Sequence, residues 1–438
     1  MSKISFMTKD DQLTGNIIGN ILFDFDKIPT DVVSSERYMY VSLTAPKIKN
    51  ENRIPLNLSA CVDVSSSMSG EKIEKVKKSL IKMIQHLTDQ DQLGIITFGS
   101  EAGQQLQVLK MTTENKEKAF KVVNDINAYG NTNLSGGLLK SVEQLSNRKS
   151  GAINRVLLFT DGEANYGIVG IPELSDLCKN RFDGLTLSCF GFGQTYNSEL
   201  LNILSNENKG NFYHIDSVEN IPESFANELG GLLSVFAQNV SVELLLPTEI
   251  KIKDQYFEFK INENVISIPD IYSEETRILL FKIEVEKFDK QSLDVSVNIV
   301  YEDITLNNQA KTNVTASLTK TSDPIDNNTV NKVVVEQVLL GMAGKVQKQN
   351  IIYVDSGRTD LAQTNVARAM DSIAMYASSV NLDMTNFSDI THDMADISDL
   401  NKARGIYASY STGRSTSKSK KMFTSNVTTQ NLVKDFNI

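Results

Sequence analysis

Residues 56–62 read LNLSACV, and residues 63–67 continue directly as DVSSS. The first segment is a short, nearly continuous apolar run, which is typical of a strand buried on both faces. The second places an acid and two hydroxyl groups at alternate positions, Asp63, Ser65 and Ser67, just before a helical pattern that begins at Glu71. In α/β proteins, ligands bind at the carboxyl ends of such strands.

The segments that follow repeat this alternation of apolar runs and helical periods. Residues 71–87 carry a stripe of apolar residues three or four apart, which predicts an amphipathic helix. Further apolar runs occupy residues 92–98, 155–160 and 185–190. Strands of this type separated by helices predict an α/β fold with a doubly wound, mostly parallel sheet over residues 54–236.

The flanking regions have different patterns. Residues 1–53 and 237–322 are rich in β-branched and aromatic residues, which predicts N-terminal strands and a β-sandwich. We expect the N-terminal strands to pair with the later sandwich, so that the α/β region is inserted into a discontinuous β domain. Residues 323–400 have helical periods. Residues 401–438 form a basic segment that we expect to be a flexible tail.

Composition excludes several classes of function. The 438 residues carry a net charge of −10, which argues against nucleic-acid binding through a general basic surface. Three scattered cysteines argue against a disulfide framework and a four-cysteine zinc site. No apolar run reaches the roughly 18 residues of a membrane span, and the first residues lack the pattern of a signal peptide. We therefore expect a cytoplasmic protein without a membrane segment.

Two further motifs add oxygen donors to the first. Residues 130–137 read GNTNLSGG and place Thr132 just before a helix, and residues 159–163 read FTDGE and place Asp161 at the end of a strand. Carboxylates and hydroxyls are hard ligands of the kind that Mg²⁺ and Ca²⁺ prefer. Glu163 is interpreted as an exposed loop acid. The sequence therefore predicts a metal site and contains no recognisable catalytic motif.

The three motifs in this order resemble the von Willebrand factor type A (VWA) domain. In that family, the pattern D-x-S-x-S, a separate Thr and T-D-G form the metal-ion-dependent adhesion site. The matching residues are Asp63, Ser65, Ser67, Thr132 and Asp161. The resemblance implies Mg²⁺, with Ca²⁺ or Mn²⁺ as alternatives. It also implies that the serines bind the ion directly, Thr132 directly or through water, and the aspartates mainly through water. One position remains for an Asp or Glu of a partner protein.

The wider layout is similar to a group of proteins with a VWA domain, a small β domain and helices. Some eukaryotic members of that group carry a RING finger and act as ubiquitin ligases. Three scattered cysteines cannot supply a RING finger, so ligase activity is not carried over to this chain.

The sequence thus favours a non-enzymatic protein-interaction or adhesion module that binds a partner carboxylate through the metal. The alternatives are a structural subunit of a large assembly and an adaptor for an ATPase or ubiquitin machine. Homo- or hetero-assembly would use an acidic helical stripe in residues 381–400 and a basic segment in residues 402–421. The acids of the stripe are Asp383, Asp389, Asp393, Asp396 and Asp399.

Overall fold

The computed structural model describes residues 15–48, 54–147, 151–193, 196–215, 217–304, 306, 308–323, 329–382 and 427–436. They divide into two compact units. The α/β unit contains the described parts of Lys49–Gln238 and Lys421–Ile438, together with a short piece of Ile304–Asn307. The β unit contains the described parts of Met1–Ile48, Asn239–Asp303 and Asn308–Lys420.

The strands, numbered in chain order, are β1 (Ile18–Phe23), β2 (Lys27–Pro29), β3 (Ser34–Thr44), β4 (Leu56–Asp63), β5 (Gln92–Phe98), β6 (Ala102–Lys110), β7 (Ile153–Thr160), β8 (Thr186–Phe192), β9 (Phe212–Ile215), β10 (Val235–Leu245), β11 (Ile250–Gln255), β12 (Ile261–Asn262), β13 (Val265–Ile268), β14 (Ile271–Tyr272), β15 (Thr276–Glu286), β16 (Ser292–Asp303) and β17 (Asn308–Thr321). The α-helices are α1 (Glu71–His86), α2 (Thr113–Asn124), α3 (Leu134–Gln144), α4 (Ile171–Arg181), α5 (Ser198–Glu207), α6 (Ile221–Leu232), α7 (Lys332–Asp355), α8 (Thr359–Ser379) and α9 (Val427–Phe436).

The α/β unit is built on a sheet with the strand order β6-β5-β4-β7-β8-β9. Neighbouring strands are parallel except for β6, which runs antiparallel to β5 at one edge. Strand β4 lies near the centre and every one of its residues is buried, as its apolar sequence requires. The prediction of an α/β fold with a mostly parallel sheet is confirmed.

Helix α3 approaches this sheet closely because Gly137 lacks a side chain. A Cβ atom at Gly137 would lie 2.6 Å from the ring of Phe98 and 3.0 Å from the Cys61 sulfur. Glycine therefore permits a short distance between helix and sheet, whereas alanine would push the helix away from the sheet. The close packing fixes the start of α3 against β4 and β5.

A buried ion pair joins helix α6 to the sheet. The Arg155 Nη1 atom donates to the Glu228 Oε1 atom at 2.8 Å, and Ser188 Oγ donates to the same oxygen at 2.6 Å. Asn211 and Tyr213 donate to the other carboxylate oxygen at 2.9 and 2.7 Å. Burial acts to raise the pKa of Glu228, but the Arg155 charge and these hydrogen bonds outweigh it, so the pKa is lowered.

Helix α9 packs within the α/β unit against α6 and α1. Leu432 and Phe436 are buried there. The Phe436 ring stacks on His86 of α1 with ring centroids 5.9 Å apart. A segment near the end of the sequence thus belongs to the same unit as residues 54–236.

The β unit contains two sheets. One has the order β1-β3-β15-β11, and the other has the order β12-β13-β10-β16-β17-β2, with β14 also paired to β10. Strand β3 pairs with β15 along its whole length, so that Thr44 lies opposite Thr276. Helices α7 and α8 pack on each other through an apolar cluster that includes Leu339, Val366 and Ile373.

The five aspartates of the acidic stripe and the basic segment of residues 402–421 lie outside the described residues. The assembly contacts predicted for them therefore stay predictions. Among the helices that the structure describes, each is too short or too polar to cross a lipid bilayer.

The buried ion pair predicts the effect of removing its negative charge. We expect Glu228→Gln to lower the free energy of unfolding by about 3–5 kcal/mol, because the buried Arg155 guanidinium would lose the negative charge of Glu228. Urea denaturation of the full chain measures the change. The control is Glu143→Gln, which breaks an exposed pair with Lys140 and should cost less than about 1 kcal/mol. Equal losses in the two variants would contradict the prediction.

Candidate metal centre

The three predicted motifs meet at one edge of the α/β sheet. Asp63 is the last residue of β4, Asp161 directly follows β7, and Thr132 precedes α3. Strands β4 and β7 are parallel neighbours, so their carboxyl ends lie side by side. Asn133 caps α3 by accepting a hydrogen bond from the Gly136 amide at 2.9 Å, which fixes the backbone next to Thr132.

The loop after β4 turns its hydroxyl groups towards each other. The Ser65 amide donates to Asp63 Oδ1 at 2.8 Å, and a short 3₁₀ turn follows at Ser66–Met68. The Ser65 and Ser67 Oγ atoms lie 3.0 Å apart. Ser66 points the other way, since its Oγ accepts from the Gly130 amide at 3.1 Å. The alternate spacing in the sequence thus separates two cluster-facing hydroxyls from one that holds the neighbouring loop.

Asp161 accepts a hydrogen bond from one of these hydroxyls. Ser67 Oγ lies 2.7 Å from Asp161 Oδ1. An ionised carboxylate can only accept hydrogen bonds, so Ser67 must donate, and its oxygen lone pairs point elsewhere. Such a hydroxyl is oriented to accept a cation.

Thr132 faces the same space. Its amide donates to the Asn165 side chain at 2.8 Å, and its carbonyl accepts from the Asn165 and Tyr166 amides at 3.2 and 3.3 Å. A Cβ atom at Gly162 would lie 3.3 Å from Thr132 Oγ1 and 3.6 Å from Ser67 Oγ. The two hydroxyls therefore border one small cradle, which a side chain at position 162 would fill.

We call these converging side chains the oxygen cluster: Asp63, Ser65, Ser67, Thr132 and Asp161. The structure brings together all five residues selected from the sequence. Asp63, Ser65, Thr132 and Asp161 are buried. Glu163 is exposed, as its interpretation as a loop acid requires. The three cysteines are buried and unbridged, in β4, α4 and β8.

A second layer fixes Asp63. Thr160 Oγ1 donates to Asp63 Oδ2 at 2.5 Å and accepts from the Gly162 amide at 3.3 Å. Burial raises the pKa of Asp63 to about 6, and the nearby Asp161 charge adds to this effect, against the lowering by the Thr160 and Ser65 hydrogen bonds. Deprotonated Asp63 is thus costly unless a positive charge stabilises it.

Lysine 72, in the first turn of α1, also contacts the oxygen cluster. Its Nζ atom forms an ion pair with Asp161 Oδ2 and lies 3.4 Å from the Ser67 carbonyl oxygen. Lys72 and Asn165 lie outside the motifs selected from the sequence, and Thr160 and Gly162 lie within the T-D-G motif without having been predicted as ligands. A signal for Lys72 was available, because a residue in the first turn after the D-x-S-x-S loop must lie close to it.

The donor set has a definite chemical character. Within the described ranges, no group of three or more His, Cys, Asp and Glu side chains is placed to hold a metal ion. The oxygen cluster instead combines two carboxylates with three hydroxyls. Such a set could hold a hard dication that keeps some of its water ligands.

A comparison with protein families identifies the α/β unit. Residues 57–227 match the model of the von Willebrand factor type A domain. Over these residues the chain is similar to the VWA domain. The match covers the region that holds the oxygen cluster.

Curated relatives of this chain come from bacteria and animals. The uncharacterized protein YfbK of Escherichia coli K12 is 28% identical over 208 residues, which are 47% of this chain and 36% of that protein. The inter-alpha-trypsin inhibitor heavy chain 4 of Mus musculus is 33% identical over 162 residues, 35% of this chain and 17% of that protein. The chain thus spans well under half the length of these relatives.

Solved structures share the fold over a longer region than the VWA domain. The von Willebrand factor type A protein of Catenulispora acidiphila superposes with a TM-score of 0.72 and 17% identity, over 91% of this chain and 97% of that one. The ArnB paralog VWA2 of Sulfolobus acidocaldarius gives a TM-score of 0.59 and 14% identity, over 91% and 99%. At these identities the likeness establishes the fold alone.

The raised pKa of Asp63 predicts how stability depends on pH when EDTA removes divalent ions. The folded state binds this proton more tightly than the unfolded chain. The contribution of Asp63 to stability is therefore full below its ordinary pKa of 3.8 and is lost as the pH rises through about 6. We expect Asp63→Asn to remove this loss and to raise the free energy of unfolding by about 1–3 kcal/mol near pH 8.

Urea denaturation in EDTA, at about pH 5 and about pH 8, measures the change. The control is Asp89→Asn, at an exposed position of the same unit. If Asp63→Asn lowered the stability near pH 8, the carboxylate would already be stabilised in the protein and the prediction would be wrong.

Proposed function

We propose that this chain is a protein-interaction module that holds a divalent cation in the oxygen cluster and offers it to a carboxylate of a partner protein. Mg²⁺ is the proposed ion, with Ca²⁺ or Mn²⁺ as substitutes. The observation that carries the proposal is the approach of Ser67 Oγ and Thr132 Oγ1 to one cradle beside Gly162. Ser65, Asp63 and Asp161 complete the oxygen donors.

The chemistry of the donors supports this assignment. Ser67 donates its hydrogen bond to Asp161, so a lone pair of its oxygen is available to the ion. Because Ser67 already donates to Asp161, Ser65 is the donor in its 3.0 Å contact with Ser67, and the lone pairs of Ser65 are also available. Neutral hydroxyls leave a bound dication more electrophilic than a cage of carboxylates would. An external Asp or Glu is therefore a favourable additional ligand.

The surroundings of the cluster support a protein partner. Tyr129, Tyr166 and Val169 are 70%, 52% and 52% exposed, on the loops that carry Thr132 and follow Asp161. The Tyr129 amide bonds to the Val64 carbonyl and the Tyr166 amide bonds to the Thr132 carbonyl, so both tyrosines are tied to the cluster backbone. Exposed aromatic and apolar side chains beside a polar centre are typical of protein contact surfaces.

The expectations of a non-enzymatic role and of two alternative functions also belong to this proposal. We propose binding rather than catalysis, because the hydroxyls of the oxygen cluster border a cradle that suits a cation. A structural subunit and an adaptor for an ATPase or ubiquitin machine stay alternative predictions. The structural-subunit alternative depends on segments that the structure does not describe.

Calorimetric titration of Mg²⁺ into the full chain tests the proposal. We expect saturable binding by the natural protein and none by Asp63→Ala or Thr132→Ala, because each variant removes an oxygen donor. Ser69→Ala, an exposed neighbour in the same loop, is the control and should bind as the natural protein does. The absence of Mg²⁺ binding by the natural protein, or equal heats for all variants, would overturn the proposal.

The cradle beside Gly162 allows a sharper variant. We expect Gly162→Ala to weaken Mg²⁺ binding by about tenfold or more, because its methyl group would lie 3.3 Å from Thr132 Oγ1, within the proposed metal site. The backbone of Gly162 is not in the left-handed region, so alanine is compatible with its conformation. The unfolding temperature in EDTA should change little. Unchanged Mg²⁺ affinity would show that the cradle is not where the ion binds.

A further inference from the structure

Helix α1 delivers a positive charge to the carboxylate that orients the Ser67 hydroxyl. The Lys72 ammonium forms an ion pair with Asp161 Oδ2, while Asp161 Oδ1 accepts a hydrogen bond from the Ser67 hydroxyl. The Asp161 side chain is fully buried, and that of Lys72 is 29% exposed. The two oxygens of one carboxylate thus serve a fixed cation and a hydroxyl of the oxygen cluster.

This contact changes the charge that a dication would meet. Asp63 and Asp161 together supply two negative charges when both are ionised, and Lys72 offsets one of them. With a bound dication, Asp63, Asp161 and Lys72 together with the ion carry a net charge of about +1. Without the Lys72 charge, the net charge would be zero. A site with residual positive charge binds metal more weakly and attracts an anionic ligand more strongly.

We propose that Lys72 sets the affinity of the metal centre for its ion: its charge weakens the binding of the dication and leaves the loaded centre with a net positive charge, which favours a carboxylate ligand. The inference rests on the proposed function, since it requires an ion in the oxygen cluster. The ion and Lys72 share Asp161 as a common counter-charge. The same contact stabilises the buried Asp161 carboxylate when no dication is bound.

Calorimetric titration of Mg²⁺ into the full chain and three variants tests the role of the charge. Lys72→Met removes the charge and keeps a side chain of similar length. We expect it to bind Mg²⁺ about tenfold more tightly or better, because a unit charge within a few ångströms of a dication alters binding by that factor even in the dielectric of water. Lys72→Arg keeps the charge and should bind as the natural protein does. Lys78→Met, at an exposed position of the same helix, is the control.

Thermal unfolding in EDTA and in saturating Mg²⁺ provides a second readout. Lys72→Met should unfold at a lower temperature than the natural protein in EDTA, because Asp161 loses its counter-charge, and Mg²⁺ should raise its unfolding temperature by more. Lys72→Arg should show neither change. A merely structural role for Lys72 would lower the unfolding temperature without tightening Mg²⁺ binding.

The outcomes separate this inference from the proposed function. If the natural protein binds Mg²⁺ and Lys72→Met binds it equally or more weakly, the inference is wrong and the proposed function stands. If Lys72→Arg binds as tightly as Lys72→Met, charge is not the cause and the inference is also wrong. If no form binds Mg²⁺, both fail together.

Discussion

The hydrogen bond from Ser67 to Asp161 is the interaction on which the oxygen cluster depends. It joins the loop after β4 to the end of β7, two loops that are 94 residues apart in sequence. The parallel pairing of β4 and β7 places both loops at the same edge of the sheet. Because the carboxylate can only accept, the bond also sets the direction of the serine lone pairs. One hydrogen bond thus fixes the relative position of the two loops and the orientation of the Ser67 oxygen towards a cation.

The α/β unit places several charged groups in its interior, and each has internal partners. Glu228 has Arg155 and three neutral donors, and Asp161 has Lys72 and Ser67. Asp63 is held by neutral donors, and its pKa is raised by burial. It is therefore the member of this set whose ionisation would gain most from a bound cation. An acid with a cationic partner needs no further positive charge, whereas an acid with only neutral donors is stabilised by a bound cation.

Local pattern was enough to predict the centre of the sheet and the five members of the oxygen cluster. The apolar run of β4 and the polar residues after it carry that information within a few positions. Strand β6 was not predicted, because only one of its nine residues is buried and its sequence includes three glutamines. Lys72 was not selected, although it lies in the first turn after the loop of β4, because its role depends on the contact that α1 makes with Asp161. Contacts between distant segments leave no periodic trace in the sequence.

The pairing of β3 with β15 has a consequence for how the chain reaches its native state. The side chains of Thr44 and Thr276 lie 2.9 Å apart, although 232 positions separate the two residues in the sequence. All strands of the sheet around β4 fall within that stretch of sequence. Closing so long a segment as a random coil is entropically expensive and slow. An intervening unit that has already folded shortens the effective loop. During translation, we therefore expect β3 to wait unpaired until the α/β unit has formed and β15 has emerged from the ribosome.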